Sequence, residues 1–212
     1  MTYADFKSAL SCPDLKQDPL QFCLSNNIVP STGLILEFGV FSGKSINIIA
    51  DTFPQRTVYG FDSFEGLPEE WERDDKGFPA GFFHMQGKIP NVRSNVKLIK
   101  GWFNETLPVF KADLSGSDDN KIALLHIDCD LYSSTKTVFD EIGHLITKST
   151  VIVFDELFNY PNAENHELLA FYEFLKRSGH KISWIGKNGP IIWNAQGDNG
   201  AQFQSAAVVI EK

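Results

Sequence analysis

Five short stretches of this chain are apolar almost without interruption, and that pattern restricts its fold more than any other feature. "LILEFGV" (34–40), "RTVYGFD" (56–62), "NVKLIKG" (95–101), "KIALLHID" (121–128) and "STVIVFDE" (149–156) show little of the alternation expected of a strand with one wet face. Runs of this length and composition fit strands covered on both sides. Between them lie "GKSINIIADTF" (43–53), "NETLPVFKADL" (104–114), "SSTKTVFDEIGHLI" (133–146) and "AENHELLAFYEFLKRSG" (163–179). Apolar residues at three- and four-residue spacing, with a Ser, Thr or Asn near the start, mark these as amphipathic helices. Strand alternating with helix predicts a doubly wound α/β sheet, mainly parallel, with helices on both faces.

After the last long helix, "HKISWIGK" (180–187) and "FQSAAVVIEK" (203–212) flank the turn-rich "NAQGDNG" (194–200) and read as an antiparallel C-terminal strand pair. Residues 1–30 read as an N-terminal helical segment of one or two short helices, ahead of a single domain over residues 31–212. "DLSGSDDNK" (113–121) reads as a solvated loop. Residues 63–94 break the rhythm: they lack clear periodicity yet carry Trp71, Phe78, Phe82, Phe83 and His84. A long aperiodic segment in a compact domain is functional or disordered in most cases, and this aromatic content argues against disorder. It is read as a lid or substrate loop, with a surface cover packing its own aromatics as the alternative.

Charge narrows the partners. With 27 Asp and Glu against 19 Lys and Arg, the formal net charge is −8, which works against nucleic acid or an anionic membrane surface as partner. No apolar run approaches the roughly 18 residues of a membrane helix, and the N-terminus lacks a basic, apolar leader. Cys12, Cys23 and Cys129 are odd in number and lack metal-type spacing, which fits a reducing compartment. The expectation is a soluble cytoplasmic protein acting on a small molecule, with a homodimer left open. Phe occurs 18 times, a surplus that must be packed somewhere.

Two motifs suggest a nucleotide-type ligand. In "LEFGVFSGKS", Glu37, Gly39 and Gly43 precede a helix opening at Ser45. The glycines allow a sharp turn and close approach of a ligand, and the free amides of the following helix favour a carboxylate or phosphate. The spacing is GxxxG, not GxGxxG, which argues against a nicotinamide or flavin cofactor. Asp62 ends the second strand, 23 residues after Gly39. An acid there can accept from both hydroxyls of a ribose lying across the strand ends, at the switch point where open α/β sheets bind ligands. A loop-capping role beside Ser63 is the alternative.

Together, "LEFGVFSGKS", "VYGFDSFEGLPEEW", "LIKGWFNETLP", "LLHIDCDLYSSTKT" and "VIVFDEL" resemble class I S-adenosylmethionine-dependent methyltransferases, a Rossmann-like family, in particular the macrocin-type O-methyltransferase group. The glycine loop also resembles that of catechol O-methyltransferase. The resemblance spans roughly residues 34–160. It implies that Glu37 and the loop Gly39, Phe41, Ser42 and Gly43 contact the methionine part of the cofactor, with Ser45 at the position that binds its carboxylate. It makes Asp62 the ribose acid, places Ser63 beside the adenine, and puts Gly101 and Trp102 where the adenine ring is held. Trp102 as simple core packing stays open.

Asp128 ends strand four, and Asp155 and Glu156 end strand five. In a parallel sheet these ends open at one edge, where three carboxylates repel unless a hard divalent cation sits among them. The resemblance implies magnesium at these positions, holding two acceptor oxygens and lowering the pKa of the attacking hydroxyl. Glu156 has a longer arm than the Asp or Asn of many relatives, and capping or metal-free substrate binding by Asp155 or Glu156 is the alternative. Asp130, next to a turn, is as readily structural as ligating, and Cys129 is expected to be a small buried residue. For the base, Asp128 itself, His84, His126 and His166 are candidates.

The expected function is O-methylation of a small-molecule hydroxyl on a sugar, aromatic or polyketide-like acceptor. One rival reads "DCD" as the DxD of a metal-dependent nucleotide-sugar glycosyltransferase, which leaves the glycine loop and Asp62 without a role. Another is a catalytically silent cofactor-binding module.

Overall fold

The computed structural model describes residues 2–73, 77–114, 120–192 and 203–211. The loop expected within 113–121 falls partly, and the turn expected over 194–200 wholly, outside the described residues. Two short helices come first, α1 (Tyr3–Ser8) and α2 (Pro19–Ser25). A Thr2/Asp5 capping box starts α1, and Asp18 accepts the Gln21 amide at 2.8 Å ahead of Pro19 to start α2.

The sheet and its helices follow in chain order: β1 (Leu34–Phe38), α3 (Lys44–Thr52), β2 (Val58–Asp62), β3 (Val96–Lys100), α4 (Phe103–Asp113), β4 (Ile122–Ile127), α5 (Tyr132–Ile142), β5 (Val151–Phe154), α6 (Glu167–Ser178), β6 (Ile182–Lys187) and β7 (Ala206–Ile210). Their order across the sheet is β3-β2-β1-β4-β5-β7-β6. The first five strands pair in parallel, and β7 inserts antiparallel between β5 and β6. The C-terminal pair is thus antiparallel as the sequence suggests, but β7, not β6, joins the parallel sheet.

Alternation along each strand feeds two cores. Leu36, Phe38, Leu125, Ile127, Ile152 and Phe154 face the layer of α4, α5 and α6, while Ile35, Leu124, Val151 and Val153 face α2 and α3. Burial on both sides explains why these strands read as unbroken apolar runs. Much of the phenylalanine surplus fills the first layer. Phe139 stacks on Phe174 with ring centroids 4.5 Å apart, Phe171 packs on Phe154 at 4.9 Å, and Phe38 stacks on Phe61 at 4.7 Å.

The segment between β2 and β3 is irregular, with a single bridge pairing Trp71 and Phe78. Its inner side is nonetheless anchored. Trp71 is 2% exposed and packs with Leu67, Leu131, Tyr160 and Ala163 in a small third core, so it docks on the loops that follow β4 and β5. Among the described residues, no helix is long and apolar enough to cross a membrane.

Phe139 is 2% exposed and contacts Phe154, Phe171 and Phe174. Phe139→Ala is expected to lower the urea unfolding free energy by about 3–5 kcal/mol through lost burial and a cavity. A loss below about 1 kcal/mol would place the ring outside the essential core.

Candidate active site

The strand order reverses between β1 and β4, so their carboxyl ends part to opposite sides and leave a crevice. Their last residues still pair closely, with the Asp128 amide donating to the Phe38 carbonyl at 2.9 Å. Gly39 follows at φ +89°, and a Cβ there would overlap the carbonyl oxygen of Asp128. Only glycine fits this crossing.

The loop beyond is held by Asp62. Its Oδ2 accepts from the amides of Val40 and Phe41 at 2.8 and 2.7 Å, and its Oδ1 from Phe64 at 2.6 Å. The loop-capping alternative for Asp62 is therefore realised in the geometry. A carboxylate has about four lone-pair sites, so Oδ1, with one bond, keeps capacity for a ligand hydroxyl. This scaffold holds Phe41 at φ +44°, a conformation that costs a non-glycine residue on the order of 1–3 kcal/mol.

Beneath the loop lies a sealed polar pair. Glu37, 0% exposed, accepts from the Ser45 hydroxyl at 3.1 Å and contacts His126 Nδ1 at 2.9 Å. Burial works to lower the His126 pKa, but the hydrogen bond and charge of Glu37, with Asp128 and Asp155 beyond, overcome it and raise it to about 9. Burial pushes Glu37 upward, opposed by His126 and Ser45. The direction of the His126 shift favours its charged form beside Glu37, and His126 is not among the residues lining the cavity.

The crevice opens into a cavity of about 640 Å³. Of the residues singled out in the sequence, Gly39, Phe41, Asp62, Ser63, Phe83, Trp102, Asp128, Cys129, Asp130 and Glu156 line it. Trp102 stands at the N-terminal end of α4 with Phe103 and Asn104 beside it. Glu37, Ser42, Gly43, Ser45, Gly101 and Asp155 lie in the surrounding framework. His84 is exposed in the segment between β2 and β3. His166 lines a separate, smaller pocket with Glu69, Glu70, Glu72 and Tyr132, and its Nε2 contacts the Glu72 carbonyl at 3.2 Å. Burial lowers its pKa.

Asp128 and Glu156, which line the cavity, and Asp155 beside them each offer an oxygen within 4.8 Å of the others. The length of Glu156 does not keep it from this group, and its Oε2 is buried without a protein partner. Desolvation, then the charge of Asp155, raises the pKa of both Asp128 and Glu156 well above the ordinary carboxylate range. An all-carboxylate oxygen set of this kind suits a hard divalent cation.

Two neighbouring acids were undervalued or missed. Asp130 lies beyond the end of β4 with φ +65°, where a tight turn closed by the Leu131 amide and the Cys129 carbonyl at 2.6 Å brings it to the cavity wall. Burial, with Asp155 adding to it and Arg73 opposing, raises its pKa to about 7. Asp128 therefore groups with Asp155 and Glu156 rather than forming a two-residue DxD pair. Glu167, 0% exposed in the first turn of α6, accepts from the Cys129 amide at 3.4 Å and leaves Oε2 unpartnered. An acid in a first helical turn reads as dipole compensation, so nothing local marked it. The doublet Ser133 and Ser134 in "LYSST", which also lines the cavity, was the available signal for α5. Cys129 is buried and its thiol pKa is raised by burial, as expected for a packing residue.

The strand order, the glycine crossing after β1 and the acids closing β2, β4 and β5 define a methyltransferase-type Rossmann-like fold. The chain belongs to the methyltransferase-domain family, whose model matches residues 36–157. It is 26% identical over 162 residues to the 8-demethyl-8-(2,3-dimethoxy-alpha-L-rhamnosyl)-tetracenomycin-C 4'-O-methyltransferase of Streptomyces olivaceus, covering 66% of this chain and 59% of that protein. It is 28% identical over 148 residues to the demethyldecarbamoylnovobiocin O-methyltransferase of Streptomyces niveus, covering 60% and 52%. The chain thus spans between half and three fifths of the length of these relatives. Among solved structures, the calicheamicin methyltransferase CalS11 matches with a TM-score of 0.64 at 25% identity, over 89% of this chain and 76% of that one.

The raised His126 pKa has a signed consequence. The folded state holds a proton that the unfolded chain releases near pH 6.5, so the stabilisation is complete below about 6.5 and is lost as pH rises through about 9. The urea unfolding free energy is expected to fall between about pH 6.5 and 9.5, and to fall less in His126→Gln. A flat profile in the native protein would contradict the pairing.

Proposed function

We propose that the protein transfers a methyl group from S-adenosylmethionine to a hydroxyl oxygen of a small-molecule acceptor, assisted by magnesium. The observation that carries this reading is the convergence on one cavity of Gly39, Phe41, Asp62, Asp128 and Glu156, with Asp155 grouped with the last two. Family membership and the O-methyltransferase names of both curated relatives support it.

Gly39 and the loop from Phe41 to Gly43 would lie against the methionine part of the cofactor, and Asp62 Oδ1 would take a ribose hydroxyl. Trp102 offers a flat face to the adenine, with Ser63 and Gly101 beside it. Ser45 acts through Glu37, which with His126 supports the loop from below. Asp128, Asp155 and Glu156 would hold the cation. When bound, the cofactor supplies a methyl carbon on a sulfonium leaving group, and the cation lowers the pKa of an acceptor hydroxyl and offsets the clustered carboxylates.

The acceptor oxygen would form the new bond to the methyl carbon as the carbon–sulfur bond broke, its electron pair returning to sulfur. The hydroxyl proton goes to a basic group at the cavity floor. Asp128, which lines the cavity, would be that group through whichever oxygen does not hold the cation. The walls align the acceptor with the methyl group and exclude water, which is most of what such a transfer requires.

S-adenosylhomocysteine at 100 times its dissociation constant is expected to stabilise the protein by about 2.7 kcal/mol, with UDP-glucose giving no comparable shift. Asp155→Asn is expected to cut methyl transfer at least about tenfold and to make the remainder insensitive to chelator, by loss of a carboxylate from the cation site. A shift with UDP-glucose and magnesium alone would overturn the donor assignment. Methylation unchanged by both Asp155→Asn and chelator would overturn the cation.

A further inference from the structure

The turn from β4 to α5 carries Asp128 into the group of three acids and Asp130 to the cavity wall, and its backbone is held at three points. The Asp128 amide donates to the Phe38 carbonyl at 2.9 Å, which ties the turn to β1. The Leu131 amide donates to the Cys129 carbonyl at 2.6 Å and closes the turn on the α5 side. The third point is the Cys129 amide, whose acceptor comes from a distant element. Glu167, in the first turn of α6 and 38 residues along the chain, takes it through Oε1 at 3.4 Å. The Cys129 side chain is pinned as well, with Sγ 3.3 Å from the Thr135 hydroxyl oxygen.

A turn of this shape needs such support. Asp130 has φ +65°, and a non-glycine residue keeps that conformation only where its surroundings over-determine it. Packing alone does not account for Glu167. Its side chain is buried and its Oε2 has no partner. An unpaired buried carboxyl oxygen opposes folding, and an apolar side chain would fill the same space without that penalty. Nor does its carboxyl cap its own helix: it reaches to Cys129, while the start of α6 has no side-chain cap hydrogen bond.

We propose that Glu167 is a positioning residue of the cation site, which fixes the turn that presents Asp128 to Asp155 and Glu156 by taking the Cys129 amide. This rests on the reading of those three acids as a cation site. The chain that supplies Asp155 and Glu156 after β5 continues into α6, so one hydrogen bond joins the two segments from which all three acids come. Contacts that orient metal ligands from behind are commonly worth 10- to 100-fold in metal affinity.

The test uses manganese, which suits the same carboxylate oxygens as magnesium. Its binding to protein saturated with S-adenosylhomocysteine is read from the electron paramagnetic resonance signal of the free ion, and S-adenosylhomocysteine affinity is measured separately without added cation. Glu167→Met, of similar length but with no acceptor oxygen, is expected to weaken manganese binding about tenfold or more and to change S-adenosylhomocysteine affinity less than about threefold. Glu167→Gln keeps an acceptor at the same reach and is expected to bind manganese at least about fivefold more tightly than Glu167→Met. Unchanged manganese affinity in Glu167→Met, a Gln variant no tighter than the Met variant, or equal loss of both ligands would each overturn the role. If only Glu167→Gln folds, a manganese loss of about tenfold or more overturns it and a smaller loss supports it. A native protein that binds S-adenosylhomocysteine but no manganese would overturn the cation site itself, and one that binds neither would overturn the methyltransferase reading.

Discussion

At the carboxyl end of β1 there is room for a hydrogen atom and nothing larger. The Phe38 carbonyl takes the Asp128 amide, so β1 and β4 stay paired to their last residues, and any Cβ on Gly39 would overlap the Asp128 carbonyl oxygen. From this contact the two chains leave in opposite directions, one through the Phe41 loop to α3 and the other through Asp130 to α5. The cavity is the space between them. Asp62 sets the loop side by taking two of its amides, and Glu37 supports it from beneath, so two acids fix the shape of the site as well as lining or underlying it.

The same strand ends gather negative charge. Asp128, Asp155 and Glu156 converge, Asp130 joins them at the wall, and Glu167 stands behind with one oxygen unpartnered. Burial and mutual repulsion raise the pKa of Asp128, Asp130, Glu156 and Glu167. Such an arrangement works against folding stability, and the sheet edge tolerates it because the strands contribute buried residues to two cores, one on each face of the sheet. Destabilised polar clusters held by a well-packed frame are typical of sites where function outweighs stability.

Legibility in the sequence followed the physics of burial. Parallel strands covered on both faces must be apolar throughout, so β1 to β5 were readable to within two or three residues at each end. The insertion of β7 between β5 and β6 was not, because two adjacent antiparallel strands look alike in sequence whichever one meets the sheet. Residues at strand ends, Gly39, Asp62, Asp128, Asp155 and Glu156, stood out because strand order alone brings such ends together. Asp130 and Glu167 did not. The first depends on a positive-φ turn that an aspartate tolerates without advertising it, and the second on the docking angle of α6. The histidines illustrate the reverse: His84 and His166 lie close in sequence to site residues, yet His84 is exposed in the segment between β2 and β3 and His166 lines a separate pocket after β5.

The central claim is that one cavity holds the methyl donor and a divalent cation side by side. Manganese suits the same carboxylate oxygens as magnesium, and its unpaired electrons broaden the resonances of nearby nuclei. The direct measurement is the NMR line width of methyl-13C-labelled S-adenosylmethionine bound to the protein, titrated with manganese. Strong broadening of the methyl signal in the native protein, absent in Asp155→Asn, is the predicted result. A bound donor whose methyl line is unaffected by manganese would contradict it.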